Sequence, residues 1–406
     1  MITLKAFKGF RPKEDLAHRV AALPYDVMNT VEAKKMVEGN PYSFLHVDKP
    51  EMHVPTPQED ELYAFAGSKL DQMIKENVFI QDEASLYLYV LTNAYTTQYG
   101  IVGCVSAQEY EQGLIKKHEN TRTDKEEDRI KHVTYCKAHT GPIFLAYKGL
   151  EMLTAWVINY ADEHMPLYDF TSEDNVRHVV YRLEAKDQEY VIASFKEADA
   201  LYIADGHHRA AAAVAVAKKN RDAGTATEAN QHFLATIFPK DQLHIMDYNR
   251  VLKDESGLTK EALFEHLATY FEIEAVLEET YKPEKRHTFG MRYAKTWYKL
   301  TLKSEWEREE DPVAALDVSV LQRYILEPIF KIMNPKEDKR IDFVGGIRGL
   351  KELNRRTEED MDVAFSLYPT SMDELIRVAD QGALMPPKST WFEPKLRSGL
   401  FVHKMD

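Results

Sequence analysis

The stretch from residue 195 to residue 220 is the feature that most constrains how this chain folds. Residues 198–204 are apolar and include Leu, Tyr and Ile, which predicts a buried strand. Asp205 and Gly206 interrupt the apolar run, and the alanine-rich segment 207–219 then predicts a helix. The sequence therefore predicts a strand, a tight turn and a helix, with Asp, His, His and Arg gathered in the turn.

The start of such a helix is suited to binding an anion. Its first backbone N–H groups lack partners within the helix, and the helix dipole is positive at this end. Gly206, His207 and Arg209 are the predicted binding residues, and the Arg209 guanidinium can bind a phosphate or carboxylate through two donors. Asp205 can accept a proton or hold a metal ion. The simpler alternative is that Asp205 only caps the helix.

Composition limits the partners and the compartment that we expect. The net charge of −14 argues against a protein that coats nucleic acid or an anionic membrane. Cys104 and Cys136 lie far apart and have neither C-x-x-C nor zinc-ligand spacing. No apolar run approaches the roughly 18 residues of a membrane span, and the N-terminus has no signal-peptide pattern. We therefore expect a cytoplasmic protein with a small-molecule substrate, and a homodimer stays open.

Several distinct short motifs are spread along almost the whole chain, from residue 7 to residue 400. They are Phe7-Lys8-Gly9-Phe10-Arg11-Pro12, Leu23-Pro24-Tyr25-Asp26-Val27, Asn40-Pro41-Tyr42, His118-Glu119-Asn120-Thr121, Asp128-Arg129, Met385-Pro386-Pro387-Lys388-Ser389-Thr390, Phe392-Glu393-Pro394-Lys395-Leu396 and Ser398-Gly399-Leu400. With these motifs the chain resembles a bacterial family known as domain of unknown function 1015. That family name supplies no activity.

The pentapeptide from Asp205 to Arg209 carries a second resemblance. Asp-Gly-His-His-Arg after a strand is similar to the signature of the ParB/sulfiredoxin superfamily, which includes free serine kinases. This resemblance implies an α/β fold of mixed α+β type, with a ParB/sulfiredoxin-like core carrying additional strands and helices. It also implies that the turn contacts nucleotide phosphates, with Asp205 and His208 as catalytic residues and ATP or ADP with Mg²⁺ as cofactors.

Two departures from that superfamily restrict the resemblance. His207 occupies the place of the reactive cysteine of sulfiredoxins, so thiol chemistry is excluded. The helix-turn-helix segments and the positive charge of ParB proteins are absent from the sequence, which argues against DNA binding. The separate base of the kinases cannot be transferred by motif. We assign it to Glu119, since polar residues at strand ends often carry the chemistry of α/β proteins.

The remaining sequence predicts a second domain and a docked tail. Residues 1–251 form the predicted α/β domain with insertions, 252–382 an α+β domain, and 383–406 a tail that folds back on the body. In the second domain, Asp311 as a cap and Pro312 at the first helical position predict a long helix over 311–333. Arg11 in an early loop and Lys388 or Arg397 in the tail are further cations that could face the ligand. The alternatives are that Arg11 belongs to a well-capped loop and that the tail only packs against the body.

Three functions fit these features. The first is a nucleotide-dependent phosphotransferase acting on a small polar metabolite, such as free serine or a similar hydroxyl compound. The second is a hydrolase that holds Zn²⁺ or Mn²⁺. Its ligands would be His118, Glu119, Asp205, His207 and His208. The third is a regulatory protein that binds a nucleotide without turning it over.

Overall fold

The computed structural model describes residues 1–54, 60–307 and 310–405. They form two compact units. Of the described residues, the first unit contains 1–54, 60–117, 121–244 and 394–405, and the second contains 118–120, 245–307 and 310–393. The mixed α/β fold class is confirmed. Apart from residues 118–120, the chain passes from the first unit to the second after residue 244 and returns after residue 393. The predicted domain boundaries at 251 and 382 stay a prediction. Residue 406 of the predicted tail lies outside the described residues.

The strands are numbered β1 to β21 in chain order. They are β1 (Leu4–Lys5), β2 (Phe10–Pro12), β3 (Phe79–Gln81), β4 (Tyr87–Thr92), β5 (Thr97–Ser106), β6 (Ile115–Lys116), β7 (Ala138–His139), β8 (Ile143–Tyr147), β9 (Tyr168–Thr171), β10 (Arg177–Arg182), β11 (Leu201–Asp205), β12 (His232–Pro239), β13 (His244–Met246), β14 (Tyr248–Leu252), β15 (Phe271–Val276), β16 (Thr288–Tyr293), β17 (Thr296–Leu302), β18 (Ile341–Gly345), β19 (Val363–Leu367), β20 (Trp391–Glu393) and β21 (His403–Lys404).

The α-helices are numbered α1 to α13 in the same way. They are α1 (Ala17–Val20), α2 (Thr30–Met36), α3 (Leu45–Asp48), α4 (Glu61–Lys75), α5 (Ala107–Glu111), α6 (Thr123–Cys136), α7 (Glu151–Glu163), α8 (Ala185–Phe195), α9 (His207–Asp222), α10 (Lys260–Tyr270), α11 (Asp317–Leu321), α12 (Leu350–Glu359) and α13 (Met372–Asp380).

In its described residues, the first unit is built around a nine-stranded sheet. The strand order is β6-β11-β8-β12-β5-β4-β10-β9, and β1 pairs with the edge of β5 beside β4. The pairs β11–β6 and β12–β8 are parallel, and the remaining pairs are antiparallel. β11, which carries the predicted turn, therefore lies between β6 and β8.

Two large apolar clusters stabilise the described residues of the first unit, and a small third cluster joins Val133, Val216 and Met405. The larger packs one face of the sheet against buried residues of α7, α8 and α9, among them Val157, Phe195 and Ala213. The alanines of α9 are small enough to let the helix lie close to the sheet. The second cluster joins α2, α3 and α4 to the C-terminal residue Val402. The C-terminal segment, residues 394–405, thus contributes to the core of the first unit.

The second unit contains, in its described residues, a six-stranded antiparallel sheet of order β15-β17-β16-β19-β14-β18. The predicted long helix over 311–333 is wrong. The Asp311 carboxylate does accept hydrogen bonds from the N–H groups of Val313 and Ala314, but Leu316 is extended, and α11 begins only at Asp317. A π-helical turn over Gln322–Leu326 follows α11. Asp317 accepts a hydrogen bond from the backbone N–H of His287 at 2.9 Å, a tertiary contact that local sequence does not encode.

Leu145→Ala should destabilise the first unit strongly. Leu145 is fully buried in the central strand β8, between Ile203 of β11 and Ile237 of β12. Loss of its side chain leaves a cavity and should lower the free energy of unfolding by about 2–5 kcal/mol. The control is Met152→Ala in α7, where the side chain is 79% exposed and the change should stay within about 0.5 kcal/mol. Urea denaturation measures both, and equal effects would contradict the packing described for β8.

Candidate functional site

The predicted turn is a left-handed glycine between β11 and α9. Gly206 has φ +93°, a backbone conformation that glycine adopts without strain. A Cβ atom at this position would also lie 3.1–3.3 Å from three atoms of the Arg209 guanidinium. Gly206 is the N-cap of the 16-residue helix α9 and has no side chain with which to cap it. The turn thus leaves the start of α9 without a side-chain cap and places the Arg209 guanidinium beside Gly206.

Asp205 forms an ion pair with a residue from the C-terminal segment. Its Oδ2 lies 3.1 Å from the Nζ of Lys395, and its Oδ1 accepts a hydrogen bond from the Gly206 N–H at 2.9 Å. Burial alone would raise the pKa of Asp205, but the charges of Lys395 and Arg209 outweigh burial and lower the pKa to about 2. Asp205 is therefore ionised at neutral pH. Because its side chain remains 31% exposed, solvent also reaches the carboxylate.

Only part of the Arg209 guanidinium is hydrogen-bonded within the first unit. Its Nη1 donates to the carbonyl oxygen of Pro142 at 2.9 Å. Its Nε is buried, and within the described part of the chain it has no hydrogen-bond partner. The neighbouring Gly141 lies close to the C-terminal segment, since a Cβ there would be 2.8 Å from the Ser398 Oγ. Arg209 is therefore held in place with donor capacity left over.

The two histidines of the turn differ in their surroundings. His207 is buried, whereas His208 is half-buried. The Nε2 of His208 accepts a hydrogen bond from the backbone N–H of Arg122 at 3.0 Å, so the neutral ring carries its proton on Nδ1. Arg122 is the N-cap of α6. His208 thereby links the start of α6 to the start of α9, and its catalytic role stays a prediction.

A small cavity with several polar side chains in its lining lies beside Arg209. Its volume is about 30 Å³, and its lining includes Tyr25, Asp48, Arg129, His132, Thr140 and Ser398. A cavity of this size holds about one or two water molecules and does not hold a nucleotide. Because Asp205, His208 and Arg209 are half-buried, a larger ligand would reach the turn from their exposed side.

The cavity lining is tied together by buried polar contacts. The Thr140 hydroxyl donates to Asp48 at 2.8 Å, and the Arg129 guanidinium lies 3.8 Å from the centre of the Tyr25 ring. The Nε2 of His132 is 3.8 Å from the Asp48 carboxylate. Burial is the largest cause that lowers the pKa of His132, and the positive charge of Arg129 lowers it further. His132 is therefore neutral at physiological pH.

Arg11 has its own partners in the first unit. Its Nε donates to Asp82 at 2.7 Å and its Nη1 to the Tyr168 hydroxyl at 3.2 Å. The buried ion pair with Asp82 accounts for the position of Arg11 without a ligand. Its predicted role in binding a cofactor stays a prediction, and these contacts favour a structural role.

Two predicted residues belong to the second unit. Glu119 lies in the segment 118–120 and is half-buried. Lys388 has a left-handed backbone, its carbonyl accepts from Arg250 at 3.0 Å, and its Nζ lies 5.7 Å from the centre of the Tyr248 ring. The roles of Glu119 as a base and of Lys388 as a phosphate-binding cation both stay predictions.

Sequence reasoning missed the contact of Lys395 and the role of Asp48. Of the tail cations, Lys395 is the one paired with Asp205, whereas Arg397 binds Asp174 and Ser172. The one signal in the sequence was that Lys395 and Ser398 lie in two of the motifs that carry the family resemblance. No helix of the described residues is long and apolar enough to cross a membrane.

The sequence profile described as Protein of unknown function (DUF1015) matches residues 4–319. Because this match covers more than half of the chain, the protein belongs to that family, and the resemblance drawn from its motifs is confirmed. A comparison with curated proteins gives no match.

Several solved structures are similar to the chain. A conserved hypothetical protein from Pyrococcus furiosus is 15% identical, with a TM-score of 0.35, over 74% of this chain and 93% of its own. A mutant free serine kinase in complex with ADP is 14% identical, with a TM-score of 0.36, over 75% and 90%. SbnI with a C-terminal truncation, from Staphylococcus aureus, is 12% identical, with a TM-score of 0.37, over 73% and 85%. Similarity at this level does not assign a function.

Lys395→Gln should destabilise the first unit in a pH-dependent way. The pKa of Asp205 is about 2 in the folded chain and about 3.9 when unfolded, so its ionised form stabilises the fold above pH 4. At pH 7 we expect the free energy of unfolding to fall by about 1–2 kcal/mol. This is less than the shift in the pKa of Asp205 would give for a fully buried pair, because solvent screens the carboxylate. The difference between variant and wild type should shrink as the pH falls from 4 to 2.

Lys404→Gln is the matched control for this measurement. Lys404 pairs with Asp71, which is 70% exposed, at 3.2 Å, so this pair contributes little. Urea denaturation at a series of pH values compares the two variants. If the stability difference between Lys395→Gln and the wild type stayed constant between pH 4 and pH 2, this would contradict the ion pair with Asp205.

Proposed function

We propose that the protein is a nucleotide-dependent phosphotransferase that acts on a small polar metabolite, such as free serine or a similar hydroxyl compound. The observation that carries this proposal is the Arg209 guanidinium beside Gly206, with its Nε lacking a partner among the described residues. A guanidinium with spare donors at the positive end of a helix suits a phosphate group. The Asp-Gly-x-His-Arg resemblance to free serine kinases points to the same chemistry.

The charges at the turn support phosphate binding. Lys395 and Arg209 together carry two positive charges against the single negative charge of Asp205, and the dipole of α9 adds to the positive side. Phosphoryl transfer depends mainly on positioning and on stabilising charge on the phosphoryl oxygens. In this proposal Arg209 and the N–H groups of the first turn of α9 bind the phosphates of ATP or ADP.

In this proposal Asp205 does not act as the general base. A carboxylate with a pKa of about 2 is a weak proton acceptor at neutral pH. An ionised and partly exposed oxygen does fit a divalent cation, and Mg²⁺ commonly binds one or two carboxylates together with substrate phosphates. Asp205 would be the protein ligand to Mg²⁺, and Lys395 would limit its negative charge. Glu119 remains the proposed base, and His208 would position the first turn of α9.

Arg209→Gln should weaken nucleotide binding and transfer. Loss of a charge-assisted hydrogen bond to phosphate should lower the affinity for Mg·ADP by about tenfold or more, and kcat/KM by about a hundredfold. The control is Arg221→Gln near the end of the same helix, where the side chain pairs with Glu111. Calorimetry measures binding. Nucleotide consumption with free serine, other amino acids and sugars measures transfer.

The outcomes separate the candidate functions. Binding of ATP or ADP to the wild type, loss of binding at Arg209→Gln and turnover with one acceptor support the phosphotransferase. Nucleotide binding without any turnover indicates a regulatory protein instead. A wild type that binds neither ATP nor ADP in the presence of Mg²⁺ would contradict the proposal.

A further inference from the structure

The first unit contains a second cavity that none of the residues 205–209 line. Its volume is about 340 Å³, within the range of small-molecule sites. It lies where β1 pairs with β5, and its lining also includes residues from the start of β12 and from β21. Among the lining residues are Lys5, Phe7, Lys8, Cys104, His232 and His403.

Strand register explains why the cavity has this lining. Cys104 of β5 is paired with Lys5 on one side and with Leu234 on the other. Paired residues project from the same face of a sheet, and so does His232, two residues before Leu234. The opposite face, with Leu4, Val105 and Phe233, is buried in the main core. The cavity therefore lies on the face of the sheet away from that core.

The charges around the cavity favour an anion. The lining has three lysines and one acidic residue, Glu228, in a chain whose net charge is −14. Lys5 pairs with Glu228, and Lys404 pairs with Asp71. Lys8 is exposed and makes no ion pair within residues 1–54, 60–307 and 310–405. Lys8 is thus the uncompensated cation at this cavity.

Aromatic rings form one wall of the cavity in fixed positions. The Phe7 ring packs edge-to-face against Tyr87, with ring centres 5.8 Å apart, and against His403, with centres 5.7 Å apart. The Nε2 of His403 bonds to the carbonyl oxygen of Ala229 at 2.9 Å. Since burial lowers the pKa of His403, its ring is neutral and adds no charge. The wall is therefore largely apolar, and its rings are held in fixed positions.

We propose that this cavity binds a small organic anion with an apolar body. The anionic group contacts the ammonium of Lys8, and the body packs against the rings of Phe7 and His403. The site is separate from the turn at Gly206 and does not depend on the function proposed for that turn.

The test uses three matched probes, 2-naphthoate, 2-naphthyl phosphate and the neutral 2-naphthamide. Saturation-transfer NMR and calorimetry on the full chain measure their binding. We expect one or both anions to bind and the amide to bind more weakly. The comparison between the two anions tells whether the natural group is a carboxylate or a phosphate.

Two variants locate the binding. Lys8→Gln should weaken anion binding by about tenfold, whereas Lys75→Gln, an exposed lysine at the end of α4, should leave it unchanged. Ala84→Trp at an exposed bend of the lining should fill the cavity and abolish binding while Lys8 is intact. Failure of both anions to bind, equal binding of the amide, or full binding by both Lys8→Gln and Ala84→Trp would overturn the proposal.

Discussion

The ion pair between Asp205 and Lys395 is the interaction on which the geometry of the turn depends. It joins residues that are 190 positions apart in sequence. Asp205 ends β11 directly before the left-handed Gly206, so any shift of its carboxylate also moves the start of α9. The charge of Lys395 helps to keep Asp205 ionised although burial opposes ionisation. The C-terminal segment therefore completes the site as well as the fold.

The same segment is held by several independent contacts in the first unit. β21 pairs with β7, and backbone bridges join Val402 to Phe10 and Ser398 to Ala22. These contacts fix the positions of Lys395 and Ser398 relative to the turn at Gly206. A rigid segment loses little conformational entropy when it positions a charged side chain, which is how a preorganised binding site gains affinity.

How much was predictable from the sequence depends on the range of the interactions. Asp205, Gly206 and the alanine run predicted the end of β11 and the start of α9 correctly, because glycine and alanine act through local backbone preferences. The partner of Asp205 could not be predicted, since any of the tail cations fits a local pattern equally well.

The prediction of a long helix over 311–333 was wrong for a related reason. Leu316 is extended, and the adjoining Asp317 bonds to His287, so tertiary context overrides the helical preference. The buried contacts of Asp48 with Thr140 and His132 also join distant parts of the chain.

Amide chemical shifts test the central claim most directly, because they report where a nucleotide touches the chain. In a ¹⁵N–¹H spectrum of the full chain, Mg·ADP should produce its largest shifts at the backbone amides of residues 206–210, at the start of α9. Shifts of that size confined to other parts of the chain, with residues 206–210 unchanged at saturating nucleotide, would contradict phosphate binding at this turn.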